Sequence, residues 1–362
     1  MAHEFINLIV IIAGIAVVLF FAKAKNLEYG LFFVHLALVF IANGWLMHPG
    51  YMVDQIRYLF VTQNIINHVK LADYNLDDST IWFTSHFFAY FPLPYIESCF
   101  SLGMINVFVF SLIYFFLKIN KILLHKSLWF FLLYPSMMFY TSLALRETLI
   151  LLFMFLGAFF VIQKRPVTAV LFSLPLYLIK FQNLLIFLVA LALQTLLSRG
   201  VHLYKKIAIL AFSCLMVYRH KDWLTIGGIN HIIREMNIAA TDHPLQVASH
   251  GAVLQTSLTN FFSFLLEPFL WNAANSFQFA QSIENMIVFS LIVAVVAKLF
   301  KRIPTEQSLI FLTVYFTIAV LVHAPFVTNY GTIARYRFPF IAIFLTYMYH
   351  FEDKNGEHEA TS

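Results

Sequence analysis

The chain has 362 residues, of which 61% are hydrophobic and 11% are charged, and its mean hydropathy is +0.79. Soluble domains carry about 25% charged residues, so this composition excludes a water-soluble globular protein and indicates a chain that buries apolar surface in lipid. The formal net charge is +5, and the two cysteines, Cys99 and Cys214, lie in separate apolar segments, which excludes a disulfide framework or a cysteine metal site.

Apolar runs separated by short polar gaps follow one another along the chain. A helix that crosses a bilayer needs about 20 apolar residues. The single runs are Phe5–Ala22, Tyr29–Met47, Ser98–Leu117, Ile207–Tyr218, Met286–Leu299, Leu309–Val322 and Phe338–Tyr349. Two longer runs are each expected to form two helices: Leu128–Ile162, broken at Pro135 and at Arg146-Glu147, and Val167–Leu197, broken at Pro175 and at Lys180. The sequence predicts an all-α, polytopic transmembrane bundle of about eleven helices.

Lysine and arginine predict the orientation, because short cytoplasmic loops carry an excess of both. If the N-terminus lies outside, the dense basic clusters fall in the cytoplasm: Lys23 to Lys25, Lys118 to Lys126, Lys164-Arg165, Arg199 to Lys206 and Lys298 to Arg302. An odd number of spans then places the C-terminal tail, 351–362, in the cytoplasm.

The remainder, 1–350, is predicted to be a single membrane domain with two long outside loops, about 48–96 and 219–260. Loops of this length usually carry function. The second loop contains Ile229–Asn237, which is predicted to form a short interfacial helix.

Charged residues on the outer side are the first functional candidates, because ionisable groups are costly at membrane depth. Asp54 and Arg57 are three residues apart, so on a helix they share a face; they form either a surface ion pair or a site in which Asp54 acts as a base or a sugar ligand. Arg146 and Glu147 lie between two apolar runs without basic neighbours. They form either a buried ion pair at a helix end or a phosphate site, since the arginine fork binds phosphate bidentately.

Two further cationic segments are expected on the same side. Lys180 and Asn183 stand at an outward turn, where the amides of the next helix favour an anion; the alternative for Lys180 is a snorkelling side chain. Arg335 and Arg337 lie in Asn329–Pro339, which leads into the last span. Because they are on the outer side, they are poor candidates for cytoplasmic anchors.

A proline interrupts the apolar run that precedes the Met286–Leu299 span. Glu267 and Pro268 are followed by Trp271 and Asn272. Backbone exposed at this depth must face protein or water. The segment is either an interfacial kink with a tryptophan anchor or part of a polar site.

These short blocks resemble the spaced signatures of Wzy-like O-antigen and capsule repeat-unit polymerases, and of related GT-C-type membrane glycosyltransferases. The blocks are Asp54–Tyr58, Tyr134–Glu147, Lys180–Asn183, Pro268–Glu284 and Asn329–Pro339. The resemblance implies a bacterial inner-membrane enzyme with a periplasmic active site. Such an enzyme joins oligosaccharide units carried on undecaprenyl pyrophosphate and needs no nucleotide sugar, metal or bound cofactor. Besides this substrate and membrane lipid, its expected partner is a chain-length regulator protein, and no nucleic acid.

The resemblance also implies roles for particular residues. The candidate catalytic carboxylates are Asp54, Glu147 and Glu267. The candidate substrate-binding residues are Arg57, Arg146, Lys180, Asn183, Trp271, Asn272, Asn329, Arg335, Tyr336 and Arg337, of which Arg146, Arg335 and Arg337 are expected to hold the pyrophosphate. Lys180 stands where the family pattern has an arginine.

Three other classes of protein remain open. A transporter or flippase of lipid-linked oligosaccharide would show two repeated halves with helices broken at the midplane, whereas the polar clusters here lie near one face. A membrane acyltransferase would need a histidine site, and the adjacent Asp242 and His243 lie in a long polar loop. A structural or assembly protein would not need so many outward arginines and acids.

Overall fold

A computed structural model of the chain describes residues 2–46, 53–69, 79–197, 203–219, 225, 249–325 and 330–361. Every regular element in these ranges is helical and none is a strand, which confirms the all-α prediction. The α-helices are α1 Ala2–Phe21, α2 Asn26–Phe40, α3 Val53–Ile66, α4 Ser79–Ala89, α5 Cys99–Ile119, α6 Lys126–Leu133, α7 Pro135–Ser142, α8 Glu147–Ile162, α9 Pro166–Ser173, α10 Leu176–Ile179, α11 Phe181–Leu197, α12 Leu203–Arg219, α13 His250–Thr259, α14 Phe261–Leu266, α15 Ser276–Leu299, α16 Gln307–His323 and α17 Tyr330–Thr361. A π-helical turn, Ile41–Leu46, continues α2, and a 3-10 turn covers Leu270–Asn272.

Four helical stretches in the described ranges are long and apolar enough to cross a membrane: His3–Phe21, Asn26–Gly44, Cys99–Ile119 and Ser276–Leu299. Shorter apolar helices of 10–17 residues cover Glu147–Ile162, Pro166–Ile179, Phe181–Leu197 and Gln307–His323. These lengths and compositions identify a helical membrane protein.

The two long apolar runs both contain the expected breaks, but each is divided into three helices rather than two. The first run forms α6, α7 and α8, and the second forms α9, α10 and α11. Tyr134 separates α6 from α7 with extended backbone, φ −68° and ψ 109°. Proline at position 135 disfavours helical backbone at the residue before it, which explains the interruption at this expected position.

The predicted outside segments also contain helices. The segment 48–96 includes α3 and α4, which pack on each other, and the segment 219–260 includes α13. The expected helix Ile229–Asn237 lies outside the described residues. The C-terminal tail continues α17 as far as Thr361.

The chain forms two compact units. Unit 1 consists of Met1–Leu156 and Phe172–Phe181, and unit 2 consists of Gly157–Leu171 and Gln182–Ser362.

In unit 1, α1 and α5 run side by side in the same direction. At their starts, the Ser98 hydroxyl donates a hydrogen bond to Glu4 Oε1 at 2.5 Å. Halfway along, a Cβ atom added to Gly14 would lie 2.8 Å from the Phe108 ring, so α1 and α5 approach closely there. The end of unit 1 at which both helices begin is called the α5-start end below.

The helix α2 and the α6–α7 pair run antiparallel to α1 and α5. Buried Glu28, at the start of α2, accepts hydrogen bonds from Tyr114 and, at 2.9 Å, from Lys118 near the end of α5. The Phe131 ring of α6 stacks on the Phe110 ring of α5 with centroids 4.8 Å apart. Consequently α2 and the α6–α7 pair both lead back to the α5-start end.

In unit 2, α15 and α17 run in the same direction. Near their starts, Arg337 donates a hydrogen bond to Asn285. Further along, Lys298 Nζ lies 2.8 Å from Glu352 Oε1. α16 packs on α17, and the short helix α14 packs on α15.

Candidate functional site

The helical backbone is interrupted between α7 and α8, at residues 143–146, and this interruption is called the first break below. Three buried side-chain amides from the π-helical turn, α3 and α5 hold this break: Asn43 Nδ2 donates to the Ser142 carbonyl (3.0 Å), Asn106 Nδ2 donates to the Leu143 and Leu145 carbonyls (2.6 and 2.7 Å), and Gln55 Oε1 accepts from the Ala144 N–H (2.9 Å). Buried backbone polar groups need such partners, above all in an apolar environment. Asn43, Gln55 and Asn106 are called the amide clamp below.

A glycine allows α5 to approach this break. A Cβ atom at position 103 would lie 2.5 Å from the Ser142 carbonyl oxygen and 2.8 Å from Val39 Cγ1. Gly103 and Asn106 are in the first three turns of α5, which at 1.5 Å per residue is about 7–12 Å from Ser98. The break therefore lies towards the α5-start end of unit 1.

The break places Arg146 and Glu147 at the start of α8. The Arg146 carbonyl accepts a hydrogen bond from Ile150 N at 3.1 Å, so Arg146 occupies the N-cap position. Glu147 is buried in the first helical turn. A carboxylate at a helix N-terminus is stabilised by the helix dipole, which gives Glu147 a structural role as well as its predicted catalytic one.

The remaining unit 1 candidates lie on elements connected to this break. Asp54 is half-buried and Arg57 is exposed, and both lie on α3 next to the clamp residue Gln55. α4 packs on α3 and α10 packs on α4, and the buried Lys180 follows α10 directly. Helix α11 begins at Phe181 rather than after Asn183, so its first amides follow Lys180 immediately.

The second break, between α14 and α15, belongs to unit 2 and is held differently. α14 ends at Leu266, before Pro268, as the proline predicts. The buried Arg337 and Asn285 side chains supply the hydrogen bonds: Arg337 Nη1 donates to the carbonyls of Phe264 (3.0 Å), Leu265 (2.9 Å) and Glu267 (2.8 Å), and Asn285 Nδ2 donates to those of Leu266 (3.2 Å) and Glu267 (2.9 Å). Arg337 and Asn285 are called the guanidinium cap below.

The predicted pyrophosphate ligand Arg337 thus caps the C-terminus of α14, where basic side chains satisfy the last carbonyls of a helix. α17 begins at Tyr330, earlier than the predicted span, so Arg335 and Tyr336, both half-buried, lie inside the helix. Asn329 lies outside the described residues.

Trp271 and Asn272 are both exposed in the 3-10 turn that follows the second break. The Trp271 ring stacks on the Phe269 ring, with centroids 5.0 Å apart. Asn183, the remaining candidate of unit 2, is buried near the start of α11.

The Glu267 carboxyl has an altered acidity. Burial raises the pKa of Glu267 above its usual value, while a hydrogen bond with Ser263 and the positive charge of Arg337 act in the opposite direction. Compared with an exposed glutamate, this environment favours the neutral form of the Glu267 carboxyl.

The amides that hold the two breaks were not predicted. All four, Asn43, Gln55, Asn106 and Asn285, are uncharged, and the predicted sites rested on charged residues. Asn43 and Asn106 lie inside predicted spans, where an amide is costly without a partner, and this is the signal that could have found them. Asn285 directly precedes a predicted span and Gln55 lies in the predicted outside loop 48–96, so neither carried that signal. The buried Glu28, held by Lys118, was missed for another reason: it lies on the predicted cytoplasmic side.

Comparisons with protein-family models, with curated proteins and with solved structures find no match for this chain. Within the described ranges, no group of three or more His, Cys, Asp or Glu side chains is arranged to hold a metal ion. The candidate site is therefore defined by its own geometry.

Proposed function

We propose that the chain is a bacterial inner-membrane glycosyltransferase that joins undecaprenyl-pyrophosphate-linked oligosaccharide units, as a polymerase of O-antigen or capsule. The observation that carries this proposal is the clamped break in unit 1, which presents Arg146 beside the buried carboxylate of Glu147 at one end of the bundle. Arg146 and Glu147 would then be held in place before the reaction. Glycosyl transfer with a charged leaving group depends on charges that are pre-organised in this way.

In the proposed reaction, a sugar hydroxyl of the acceptor attacks the anomeric carbon of the donor, and the bond to the pyrophosphate breaks. Arg146 and Lys180 stabilise the negative charge that develops on the leaving pyrophosphate. Asp54 or Glu147 accepts the proton of the attacking hydroxyl. Unit 2 holds its own candidates, Glu267 with its raised pKa and Arg335.

The proposed topology has about eleven spans, with the N-terminus outside and the C-terminal tail in the cytoplasm. Two features support it. α1 and α5 begin at the same end of unit 1, and the basic residues Lys118 and Lys126 follow at the opposite end, where α5 finishes and α6 begins. The α5-start end, with the clamped break, is then periplasmic. Undecaprenyl-linked substrate, membrane lipid and a chain-length regulator protein are the proposed partners.

The test is a reconstitution experiment with two arginines that flank α8. Purified chain in proteoliposomes is given undecaprenyl-pyrophosphate-linked oligosaccharide, and the products are separated by length on a gel. Arg146→Ala is expected to lower product formation by at least about 100-fold, as for loss of a group that stabilises transition-state charge. Arg165→Ala, at the other end of α8, is the matched control and should give a normal ladder. A normal ladder from Arg146→Ala would refute the site.

A transporter or flippase of lipid-linked oligosaccharide is the second candidate. One observation favours it: each unit contains a helix interrupted by non-helical backbone, and transporters place substrate sites at such interruptions. The same proteoliposomes distinguish the two functions. A flippase moves a fluorescent lipid-linked oligosaccharide between leaflets without changing its length, whereas the proposed enzyme lengthens it.

A further inference from the structure

The paired helices α3 and α4, called the α3–α4 hairpin below, are too short to cross a bilayer. They contain 14 and 11 residues, or about 21 and 17 Å at 1.5 Å per residue, whereas a hydrocarbon core is about 30 Å thick. From Ser79 to Ile96 the sequence nevertheless contains no Lys, Arg, Asp or Glu. Uncharged sequence of this kind is atypical of an aqueous loop.

The chain after α4 lies level with the middle of the spans. The Phe91 ring packs on the Phe108 ring of α5, with centroids 5.5 Å apart, and Phe108 also lies against Gly14 of α1. Phe108 and Gly14 are near the centres of two helices long enough to cross a membrane. The C-terminal end of α4 therefore reaches approximately half the depth of the spans.

From this depth the chain returns to the α5-start end. The Tyr95 carbonyl accepts a hydrogen bond from Asn7 Nδ2 at 2.5 Å, in the second turn of α1. Two residues later, the Glu97 carbonyl accepts one from Gln63 Nε2 at 3.2 Å, near the end of α3. The side chain of Gln55 in the first turn of α3 is bonded at the clamped break. Both helices of the hairpin thus extend from the α5-start end into the depth of the bundle.

The outer face of α4 is aromatic. The face of α4 towards protein buries Ile81, Thr84, Ser85 and Phe88. The Ser85 hydroxyl donates a hydrogen bond to the Tyr58 carbonyl of α3 at 3.4 Å. On the other side Trp82, Phe83 and Phe87 are 36%, 41% and 37% exposed. α3 likewise exposes Val53 and Ile56. On α4 the buried polar residues Thr84 and Ser85 face protein and the exposed residues are apolar, which is the reverse of a helix in water. On α3 the exposed set also includes Arg57.

We propose that the α3–α4 hairpin is inserted into the half of the bilayer at the α5-start end, and that Trp82, Phe83 and Phe87 contact lipid acyl chains. Acyl chains are the proposed occupant because the chain beyond α4 lies level with the centres of α1 and α5, where a membrane contains no water. α1 exposes apolar side chains of its own in the same half, including Ile9 and Val10. This surface is independent of the proposed enzymatic function.

The test measures collision of spin labels with dioxygen, which partitions into lipid, and with a nickel chelate, which stays in water. Single cysteines replace Phe83 or Phe87 in a chain that carries Cys99→Ser and Cys214→Ser, reconstituted in phosphatidylcholine vesicles. Val17→Cys, on the exposed face of a candidate span, is the lipid control, and His68→Cys, exposed beyond the end of α3, is the water control.

Positions 83 and 87 are expected to favour dioxygen to the same degree as position 17, and position 68 is expected to favour nickel. Nickel accessibility at 83 and 87 equal to that at 68 would overturn the proposal, and would mean that the hairpin is in water. Protection from both reagents would also overturn it, in favour of a protein partner. A variant that retains Trp82 as its only tryptophan provides a second measurement, in which brominated acyl chains should quench the fluorescence.

Discussion

Both breaks in this membrane protein leave backbone groups without helical hydrogen bonds, and different kinds of side chain satisfy those groups at each break. At the first break, neutral amides from three separate elements each satisfy one or two backbone groups. At the second, the Arg337 guanidinium alone donates to three carbonyls, and Asn285 completes the set. One arrangement is distributed and uncharged, while the other depends on a single buried cation.

This difference separates structural arginines from candidate ligands. At the second break the cation that sequence motifs assign to substrate binding has a visible structural task. At the first break, residues without charge perform that task, and the cation next to it, Arg146, begins the following helix. A charge at a helix break therefore indicates substrate binding only after the hydrogen bonds of the break have been assigned.

The largest expected effect is at the guanidinium cap. Arg337→Leu removes the donor to the buried Phe264 and Leu265 carbonyls, whereas the Glu267 carbonyl keeps its hydrogen bond from Asn285 Nδ2. Each unsatisfied group costs about 1–3 kcal/mol. We expect a loss of about 4 kcal/mol in the free energy of unfolding, measured by denaturant titration in detergent micelles. Arg335→Leu, two residues away and half-buried on the same helix, should cost clearly less. Equal losses for the two variants would show that Arg337 is not the principal cap.

The next largest effect concerns the close approach of α5 to the first break. Gly103→Ala places a Cβ atom 2.5 Å from the Ser142 carbonyl oxygen, a backbone atom that cannot move away without disturbing the amide clamp. Overpacking of this kind typically costs about 1–3 kcal/mol, and we expect the upper part of that range.

Gly30→Ala is the matched control for this substitution. Gly30 lies inside α2, and a Cβ atom there meets nothing within 4 Å. Since alanine is favoured over glycine inside helices by about 1 kcal/mol, this variant should be as stable as the original chain or slightly more so. If both alanines are tolerated, α5 is not held tightly against the break.

A smaller effect is expected from one arm of the amide clamp. Asn106→Ala removes two hydrogen bonds, but Asn43 and Gln55 still hold the neighbouring backbone. Side-chain hydrogen bonds between membrane helices contribute about 0.6 kcal/mol on average and about 1.7 at most, so we expect a loss of about 1–2 kcal/mol. Asn106→Asp keeps the volume without the donors and should be at least as damaging. Full stability of the aspartate variant would contradict the assigned donation.

The positions of the breaks could be predicted from the sequence, but their hydrogen-bond partners could not. The breaks before Pro135 and Pro268 and at Arg146 were predictable, because proline and paired charges interrupt an apolar helix locally. The partners of the breaks were not, because Asn106 bonds to residues 37 and 39 positions away and its amide carries no charge signal. The role of Arg337 was hidden for the same reason, since a sequence shows the charge but not the carbonyls that it meets.

The position of the α3–α4 hairpin beside α1 and α5 could not be predicted from the polarity of segment 48–96 taken as a whole. The sequence predicts an outside loop over 48–96 because the segment as a whole is too polar to face lipid and too long for a simple turn. Its helices α3 and α4 nevertheless expose aromatic and aliphatic side chains. The contact between Phe91 and Phe108, which sets the depth, joins residues from different helices, and no local pattern encodes it.

The smallest expected effect is on pH dependence and concerns the acid beside the guanidinium cap. Burial raises the pKa of Glu267, and the hydrogen bond with Ser263 lowers it. Ser263→Ala removes the lowering contribution, so the pKa of Glu267 should rise further. If the Glu267 carboxylate acts as a base, it must be ionised, and the acidic limb of the rate profile should move to higher pH while the plateau above it stays unchanged. Ser282→Ala is the matched control, because the Ser282 hydroxyl bonds to the Gln278 carbonyl within α15. The measurement is the initial rate of glycan lengthening as a function of pH; a limb that stays in place, or moves to lower pH, would remove Glu267 from the candidate bases and leave the second break with a purely structural role.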